Sequence, residues 1–251
     1  MIALKFDEPL TEGLIIDRPN RFIMKVAINN KIEYCHCPAT SRIGDIIFDK
    51  IPCLLSKNND WSRRTVYSVE AISLDNKKTW IGINQTKSNN FIDYFLRVGS
   101  LKKIFQRVND LEREVFYIDS KLDFFVNQCF LEVKSPLTTI NTDVAKTIMH
   151  YEEPIKDYSN RFLRHVNTLR TSLTEKARAI LLVCFQYDRP PFEVKWDTIH
   201  ENYLSTDFKS AVQSGVEVWQ CNLIFDKEQV AFKRCINLTD YYLSDYDSKP
   251  N

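Results

Sequence analysis

The sequence has almost no net charge and no cysteine spacing that would indicate a disulfide framework. Its 34 Lys and Arg residues are balanced by 33 Asp and Glu residues, for a formal charge of +1. A surface without excess positive charge cannot hold a phosphate backbone everywhere, so any nucleic-acid contact must come from a local basic patch. The seven cysteines are odd in number and include no Cys-x-x-Cys pair, which is typical of free thiols in a reducing compartment. We therefore expect a cytoplasmic protein.

Long hydrophobic runs are also missing. The longest one, residues 179–185, is too short to span a bilayer, and Asp7 and Glu8 stand where a signal peptide would be basic. No internal repeat or low-complexity tract occurs. These absences predict a protein without a membrane partner. With 44% apolar and 12% aromatic residues, the chain can bury one large core or two modest ones.

The first third of the chain consists of short apolar or alternating segments separated by Asn-Asn, Pro and Asp-Asn breaks. Such a series of short strands predicts a small β-barrel. These segments are residues 14–17, 22–29, 31–37, 45–55, 65–74 and 80–84. From about residue 89 the period becomes helical, with Phe91, Tyr94, Phe95 and Val98 on one face and Gly99 as the expected C-cap. We therefore place a domain boundary near residue 84.

The rest of the chain alternates strand-like and helix-like segments. Strands are expected at 115–118, 122–126, 129–134, 180–186 and 216–223, and helices at 157–173 and 203–214. This alternation predicts an α/β layer, and the whole chain then has an α+β architecture of two domains. The predicted domains are residues 1–84 and residues 85–240, followed by an acidic tail, 241–251, that should fray.

Two carboxylates are expected to face each other in a hairpin of the second domain. If Asn127 and Gln128 form a two-residue turn, antiparallel register pairs Asp123 with Glu132. Facing carboxylates lie only about 5 Å apart and repel each other unless a cation or a raised pKa relieves the repulsion. Lys134, two residues after Glu132, lies on the same face, and Glu114 could supply a further oxygen ligand.

This set of residues suits phosphodiester hydrolysis. Oxygen ligands favour Mg²⁺ or Mn²⁺, which activates a water and neutralises charge on the phosphate, while the lysine orients the water or stabilises that charge. The alternative is a solvated strand face, because a Glu-x-Lys pair on a strand is common and usually forms a weak ion pair. The apolar residues Phe130 and Val133 around the pair favour a buried strand, where charges are rarely unpaired.

Basic side chains in both domains are candidates for phosphate contacts. Arg161 and His165 are four residues apart on one predicted helix face, with Arg164 and Arg170 nearby, so they should reach outward together. A solvated helix face is the alternative. In the barrel, basic and stacking groups of the kind used on single strands occur at Arg18, Arg21, Arg63, Arg64 and Tyr67. His36, between two cysteines, has no second ligand pair at zinc spacing.

Several of these segments, in the same order, resemble motifs of the sugar fermentation stimulation protein (SfsA) family. The segments similar to its nuclease-type core are Glu114-Val115, Ser120 to Phe124 and Glu132 to Ser135. Those similar to its other motifs are Arg18 to Phe22, His36 to Ile43, Arg63 to Tyr67, Asn84, Asn89, Arg161 to Val166 and residues 211–217. Ala39 and Ser41 depart from the loop motif, and Phe162 takes the place of a glycine.

The resemblance implies an OB-like barrel that binds nucleic acid, followed by a nuclease-like domain of the PD-(D/E)xK type. It adds Arg42 to the candidate nucleic-acid contacts. We expect Asp123 and Glu132 to bind the metal, Glu114 to act as an auxiliary ligand or base, and Lys134 to act on water or phosphate. The partner is then DNA, RNA or both. The competing hypothesis is a regulator of the same fold that binds nucleic acid without cleaving it. The family name suggests a role in sugar metabolism, but no residues indicate a sugar site.

Overall fold

The computed structural model describes residues 1–39, 42–44, 46–60, 62–137, 140, 156–174, 178–192 and 201–244. Within this part of the chain there are thirteen strands and four α-helices. The strands are β1 (Ala3–Lys5), β2 (Thr11–Asn20), β3 (Ile23–Ile28), β4 (Lys31–His36), β5 (Ile51–Lys57), β6 (Tyr67–Ile72), β7 (Ile81–Gly82), β8 (Leu111–Tyr117), β9 (Ser120–Val126), β10 (Cys129–Lys134), β11 (Arg178–Phe185), β12 (Val216–Phe225) and β13 (Gln229–Asn237). The helices are α1 (Ser88–Arg97), α2 (Lys156–Ser172), α3 (Glu201–Gln213) and α4 (Thr239–Ser244), and a 3₁₀ turn (Gln85–Lys87) precedes α1.

Strands β2 to β6 form a closed barrel, as the alternating segments predicted. Their order is β4-β3-β2-β5-β6, and a parallel contact between His36 of β4 and Ser68 of β6 closes the circle. Alternate residues of β3 point inward, and Met24 and Val26 are fully buried in the barrel core. The Asn29-Asn30 break forms the β3–β4 turn, with φ angles of 48° and 65°, a conformation that asparagine tolerates better than most residues.

The second domain is a seven-stranded sheet covered by helices on both faces. The strand order is β1-β13-β12-β11-β10-β9-β8, and the three central strands β10, β11 and β12 run parallel. Helix α1 packs on one face through Phe91, Ile92 and Phe95, while α2, α3 and α4 pack on the other. Strand β11 is buried on both faces, which explains its continuous apolar sequence. Helix α1 is confirmed; its C-cap is Val98, and Gly99, with φ of 72°, is the next residue and takes the left-handed conformation that ends the helix.

Two segments near the chain ends differ from the sequence prediction. Residues 1–84 were predicted to form the barrel domain, but residues 3–5 form strand β1, which pairs with β13 at the edge of the second sheet. Leu4 and Phe6 pack there against the core of the second domain. The predicted fraying is wrong for residues 241–244, because they belong to α4, which is anchored by Tyr242. That ring is 5% exposed and packs against Phe208, and its hydroxyl donates a hydrogen bond of 2.8 Å to the carbonyl of Phe192. Residues 245–251 of the tail lie outside the described residues.

No helix in the described ranges is both long enough and apolar enough to cross a bilayer.

Candidate functional site

The β9–β10 hairpin has the register that the sequence predicted. Asn127 and Gln128 form the turn with φ angles of 47° and 64°, as a two-residue turn between twisted strands requires. Val126 then pairs with Cys129, Phe125 with Phe130, and Phe124 with Leu131. The next residues along the ladder are Asp123 and Glu132, and at this point the regular strand pairing ends.

Where the two strands separate, the side chains of Asp123 and Glu132 accept hydrogen bonds from backbone N–H groups of the opposite strand. The backbone N–H of Asp123 donates to Oε2 of Glu132 at 3.3 Å, and the backbone N–H of Val133 donates to Oδ2 of Asp123 at 2.8 Å. Each carboxylate therefore accepts a hydrogen bond from a backbone N–H of the opposite strand at the point where the ladder ends. This exchange holds the two acidic side chains next to each other, as predicted.

A lysine and a histidine surround Glu132. Lys134 Nζ donates a hydrogen bond to Glu132 Oε1, and His165 Nδ1, from α2, contacts the same oxygen. Lys134 Nζ and His165 Nδ1 are 3.2 Å apart. Thr168, one turn along α2, donates to Ser120 Oγ at 3.1 Å and holds the helix against β9. Glu132 is 1% exposed, so the cluster lies in a site largely shielded from solvent.

The two acids differ in their electrostatic environment. Burial and the neighbouring Glu132 raise the pKa of Asp123 to about 6, against weaker opposing effects of the Val133 N–H, Lys134 and Asn89. Burial alone would also raise the pKa of Glu132, but His165 and Lys134 together hold it below its ordinary value. Glu132 therefore has its stabilising partners, Lys134 and His165, in the protein, whereas the charge of Asp123 is incompletely offset. An added cation beside Asp123 would stabilise its ionised form.

The oxygen atoms of the pair retain capacity for a cation. A carboxylate oxygen can accept two hydrogen bonds or ligand contacts. Among the described residues, Asp123 Oδ1 and Oδ2 and Glu132 Oε2 each accept a single hydrogen bond. No group of three or more His, Cys, Asp or Glu side chains in the described ranges is arranged to hold a metal. Two carboxylates, completed by waters and substrate phosphate, nevertheless suffice for Mg²⁺, so the residues present fit such an ion.

Asn89 is a member of the site that the chemical reasoning from sequence did not assign. It lies in the first turn of α1, and its Nδ2 donates to Asp123 Oδ1 at 2.7 Å. The only sequence signal for it was its match to an asparagine of the family motif. The 34 residues that separate it from Asp123 explain why local pattern could not indicate the contact.

Two predicted site residues lie elsewhere than expected. His165 was expected to reach outward beside Arg161, but it is 4% exposed while Arg161 is exposed. Residues four apart differ by about 40° around a helix, and this difference places His165 at the buried border of α2. Glu114 is also displaced: its side chain is 63% exposed and pairs with Lys121 at 2.7 Å, which lowers its pKa. Its backbone has φ of 57°, and it does not join Asp123 and Glu132.

The predicted nucleic-acid residues of the barrel have different environments. Exposed positions are occupied by Arg21, Arg42, Arg63 and Arg64. Arg21 lies over the ring of Phe22 at 4.5 Å, and Arg63 is 3.8 Å from Asp60. Arg18 is partly buried and donates to the backbone oxygens of Arg21 and Ala39. Tyr67 packs against the barrel core. These two therefore contribute to the barrel's own structure.

Two exposed aromatic residues of the barrel were not among the predicted nucleic-acid contacts. Phe22 is 47% exposed and Tyr34 is 59% exposed, and Tyr34 lies opposite Lys25 in the β3–β4 ladder. Exposed aromatic rings beside cationic side chains are suitable for stacking on unpaired bases. On the second domain, Arg164 is exposed like Arg161, whereas Arg170 is partly buried and donates to Ser210 at 2.9 Å. All seven cysteines are free and buried.

Two family models of known proteins match this chain, one in each of its two domains. Residues 16–83 match a family model described as the SfsA N-terminal OB domain, and residues 86–229 match one described as the sugar fermentation stimulation protein RE domain. The sugar fermentation stimulation protein homolog of Ruminiclostridium cellulolyticum is 24% identical over 233 residues, covering 91% of this chain and 97% of its own length. That of Saccharophagus degradans is 27% identical over 222 residues, covering 86% and 91%.

A solved structure has the same fold. The structure of Pyrococcus furiosus SfsA in complex with Ca²⁺ matches this one with a TM-score of 0.68 over 94% of this chain and 98% of that chain, at 16% sequence identity. The predicted architecture, an OB barrel followed by an α/β domain, is thereby confirmed. Since the second family model alone matches more than half of the residues, the chain belongs to the sugar fermentation stimulation protein (SfsA) family.

Proposed function

We propose that the protein binds DNA or RNA and hydrolyses phosphodiester bonds with the help of Mg²⁺ or Mn²⁺. The observation that carries this proposal is the end of the β9–β10 ladder, where Asp123 and Glu132 lie together beside Lys134. Charged groups are costly to bury, and a cluster of two acids and an amine with incompletely offset charge is a common feature of catalytic sites. This arrangement supports a catalytic use more than a stabilising one.

Each residue has a distinct part in the proposal. Asp123 and Glu132 would hold the cation, which when bound supplies a polarised water and neutralises charge on the phosphate. Lys134, 17% exposed at its side chain, orients the attacking water or stabilises charge on the phosphate oxygens. His165 fixes the side chain of Glu132 from the helix side. Glu114 is left out of the ligand set because it faces solvent and pairs with Lys121.

The choice of cation agrees with a related structure. Pyrococcus furiosus SfsA is described in complex with Ca²⁺, which, like Mg²⁺, prefers oxygen ligands. Among the described residues, the available ligand atoms are the carboxylate oxygens of Asp123 and Glu132, and this donor set favours a hard cation over zinc or copper.

The exposed cations of both domains would hold the substrate. The barrel offers Arg21, Arg63 and Arg64 with the exposed rings of Phe22 and Tyr34, and α2 adds Arg161. Because the net charge is only +1, we expect binding to depend on these local groups and to weaken steeply with added salt.

The test is a cleavage assay on labelled single-stranded and duplex DNA and RNA with Mg²⁺, Mn²⁺ or a chelator. We expect metal-dependent products from the parent protein. Glu132→Gln and Lys134→Ala should each lower kcat by on the order of 100-fold or more, since they remove charge that acts on the transition state. Glu12→Gln is the matched control, because Glu12 is an ion-paired acid on the barrel strand β2. Its activity should stay within about twofold of the parent.

One observation favours a second candidate, a nucleic-acid-binding regulator that cleaves nothing. Glu132 already has two protein partners, Lys134 and His165, so the cluster could serve structure alone. This candidate predicts salt-sensitive binding in a gel-shift assay and no products with either metal. Binding without cleavage of any of the four substrates would replace the nuclease proposal with the regulator.

A further inference from the structure

A six-residue segment, Asn84 to Asn89, contacts both the barrel and the acidic cluster. It includes the 3₁₀ turn Gln85–Lys87 and the first two residues of α1. It follows β7, which pairs with β6 of the barrel, and it leads into the helix that packs on the second sheet. Its side chains make hydrogen bonds in both directions.

On the barrel side, the segment is held by a fully buried acid. Glu70 of β6 is 0% exposed, and its carboxylate accepts hydrogen bonds from Lys87 Nζ at 2.7 Å, Asn84 Nδ2 at 2.9 Å and Ser56 Oγ at 2.5 Å. The backbone N–H of Ile83 donates to the carbonyl of Glu70 at 2.8 Å. A buried charge is tolerated only when such partners stay in place, so Glu70 fixes the position of the segment.

On the other side, the segment is held against β10 and β11. Ser135, the residue after Lys134, donates from its hydroxyl to Ser88 Oγ at 2.7 Å, and its carbonyl accepts from Gln85 Nε2 at 2.6 Å. Gln186 Nε2 donates to Ser88 Oγ at 2.8 Å and to the carbonyl of Asn84 at 2.9 Å. These bonds fix the first turn of α1 relative to the strand that carries Glu132 and Lys134.

Asn89 is the next residue of this turn, and its amide holds the carboxylate of Asp123. We propose that the segment Asn84 to Asn89 positions the cation site: Asn89 orients Asp123, and the buried Glu70 of the barrel, through Lys87 and Asn84, holds Asn89 in place. The inference rests on the cation site of the proposed function. The inference adds that the barrel helps to position this site, in addition to contacting nucleic acid.

The expected effect of Asn89 follows from the role of groups that orient metal ligands. Their loss commonly weakens metal binding by about 10- to 100-fold, because the ligand is then free to turn away. The measurement is calorimetric titration of the full chain with Mn²⁺ alone, so that it is independent of catalysis. Asn89→Leu has a similar shape but no donor, and it should bind Mn²⁺ about 10- to 100-fold more weakly than the parent. Asn89→Gln keeps an amide donor, and its Mn²⁺ affinity should fall less.

Asn90 provides the matched control. It is the neighbouring residue of α1, and its Oδ1 accepts a hydrogen bond from Arg113 at 2.8 Å, whereas the amide that donates to Asp123 is that of Asn89. Asn90→Leu should bind Mn²⁺ within about twofold of the parent. Equal affinities of Asn89→Leu and the parent, or equal losses in Asn89→Leu and Asn90→Leu, would overturn the positioning role.

The barrel's part is tested with Glu70→Gln combined with Lys87→Met. The double substitution removes both charges, since either one alone would leave a buried charge unpaired. We expect Mn²⁺ affinity to fall several-fold although neither residue touches the cluster, and unchanged affinity would overturn the barrel's part. If this variant does not fold, Ser56→Ala replaces it, because it removes one donor to Glu70 and should give a smaller loss of the same sign. Unchanged affinity in Ser56→Ala would count equally against the barrel's part.

Asp123→Asn separates this inference from the proposed function. If Asp123→Asn binds Mn²⁺ like the parent, the cation site itself is wrong and the positioning role falls with it. If Asp123→Asn abolishes binding while Asn89→Leu leaves it unchanged, the site stands and only the positioning role is wrong. Weakened binding in both variants supports the inference even if the protein cleaves no nucleic acid.

Discussion

Asp123 has an electrostatic environment that does not favour folding. Its carboxyl is partly buried and lies near Glu132, and these two effects raise its pKa to about 6 from an ordinary 3.8. A raised carboxyl pKa means that the folded state resists ionisation, so the stabilisation present at low pH is lost as the pH rises through about 6. Near neutral pH this acid therefore lowers the free energy of unfolding, a cost that proteins usually accept at functional sites.

Asp123→Asn should consequently make the metal-free protein more stable at pH 8. The neutral amide avoids the buried charge, and the gain in unfolding free energy should be about 1–3 kcal/mol. The gain should shrink between pH 6 and pH 4, because in this range the parent carboxyl becomes protonated in the folded state while it is still largely ionised in the unfolded state. Thermal unfolding of both proteins in the presence of a chelator, repeated at several pH values, measures this gain in stability. A gain that does not change with pH would contradict the raised pKa of Asp123.

At the scale of the element, the β9–β10 hairpin determines whether the two acids meet. Its turn residues both have positive φ, but their side chains differ in what they contact. Asn127 Oδ1 accepts hydrogen bonds from the backbone N–H groups of Asn109 and Asp110, and its Nδ2 donates to the carbonyl of Arg107. Gln128 is exposed. Asn127 thus fixes the loop before β8, whereas Gln128 contributes chiefly conformational strain.

Glycine substitutions at the two turn positions should therefore have opposite effects. Gln128→Gly removes the cost of a left-handed conformation and should stabilise the protein by about 0.5–1 kcal/mol. Asn127→Gly also relaxes the backbone but loses the hydrogen bonds to the loop, and it should destabilise by about 1–2 kcal/mol. Denaturant unfolding of the two variants measures both changes in the free energy of unfolding. Effects of the same sign would show that the contacts of Asn127 add little to stability.

At the scale of the whole molecule, the two domains are in close contact at Gly82 of β7. Its backbone N–H donates to the carbonyl of Gln186 at 2.9 Å. A Cβ at this position would lie 2.6 Å from Gln186 Cβ and 2.7 Å from Phe225 Cε2. Both neighbours belong to the second domain, so only a glycine lets the barrel pack at this distance.

Gly82→Ala should separate the domains slightly and destabilise the protein by about 1–3 kcal/mol or more. Gly99→Ala is the control: an added Cβ meets nothing within 4 Å, and the positive φ alone should cost about 1 kcal/mol. Because Gly82 lies two residues before Asn84, Gly82→Ala should also weaken Mn²⁺ binding in the calorimetric titration, and Gly99→Ala should not. Equal effects of the two substitutions on stability and on Mn²⁺ binding would contradict the close packing at Gly82.

The sequence alone was sufficient for the features that local pattern controls. The barrel strands and the β9–β10 hairpin could be predicted because a strand alternates with period two and a two-residue turn leaves a single register. Once Asn127 and Gln128 were recognised as the turn, the adjacency of Asp123 and Glu132 followed, and Lys134 followed from its spacing. These residues are within twelve positions of one another, so no long-range packing was needed to bring them together.

Only the tertiary structure decided which distant residues complete the site. Asn89 and His165 lie 34 and 33 residues from the acids that they contact, and they reach these acids because α1 and α2 pack near the same end of the β9–β10 ladder. Whether a residue at the border of a helix face turns inward, as His165 does, depends on the surface against which the helix packs, which its own periodicity does not specify. The same holds for Glu114, which turns to solvent, and for β1, which pairs with β13, a strand more than 200 positions away.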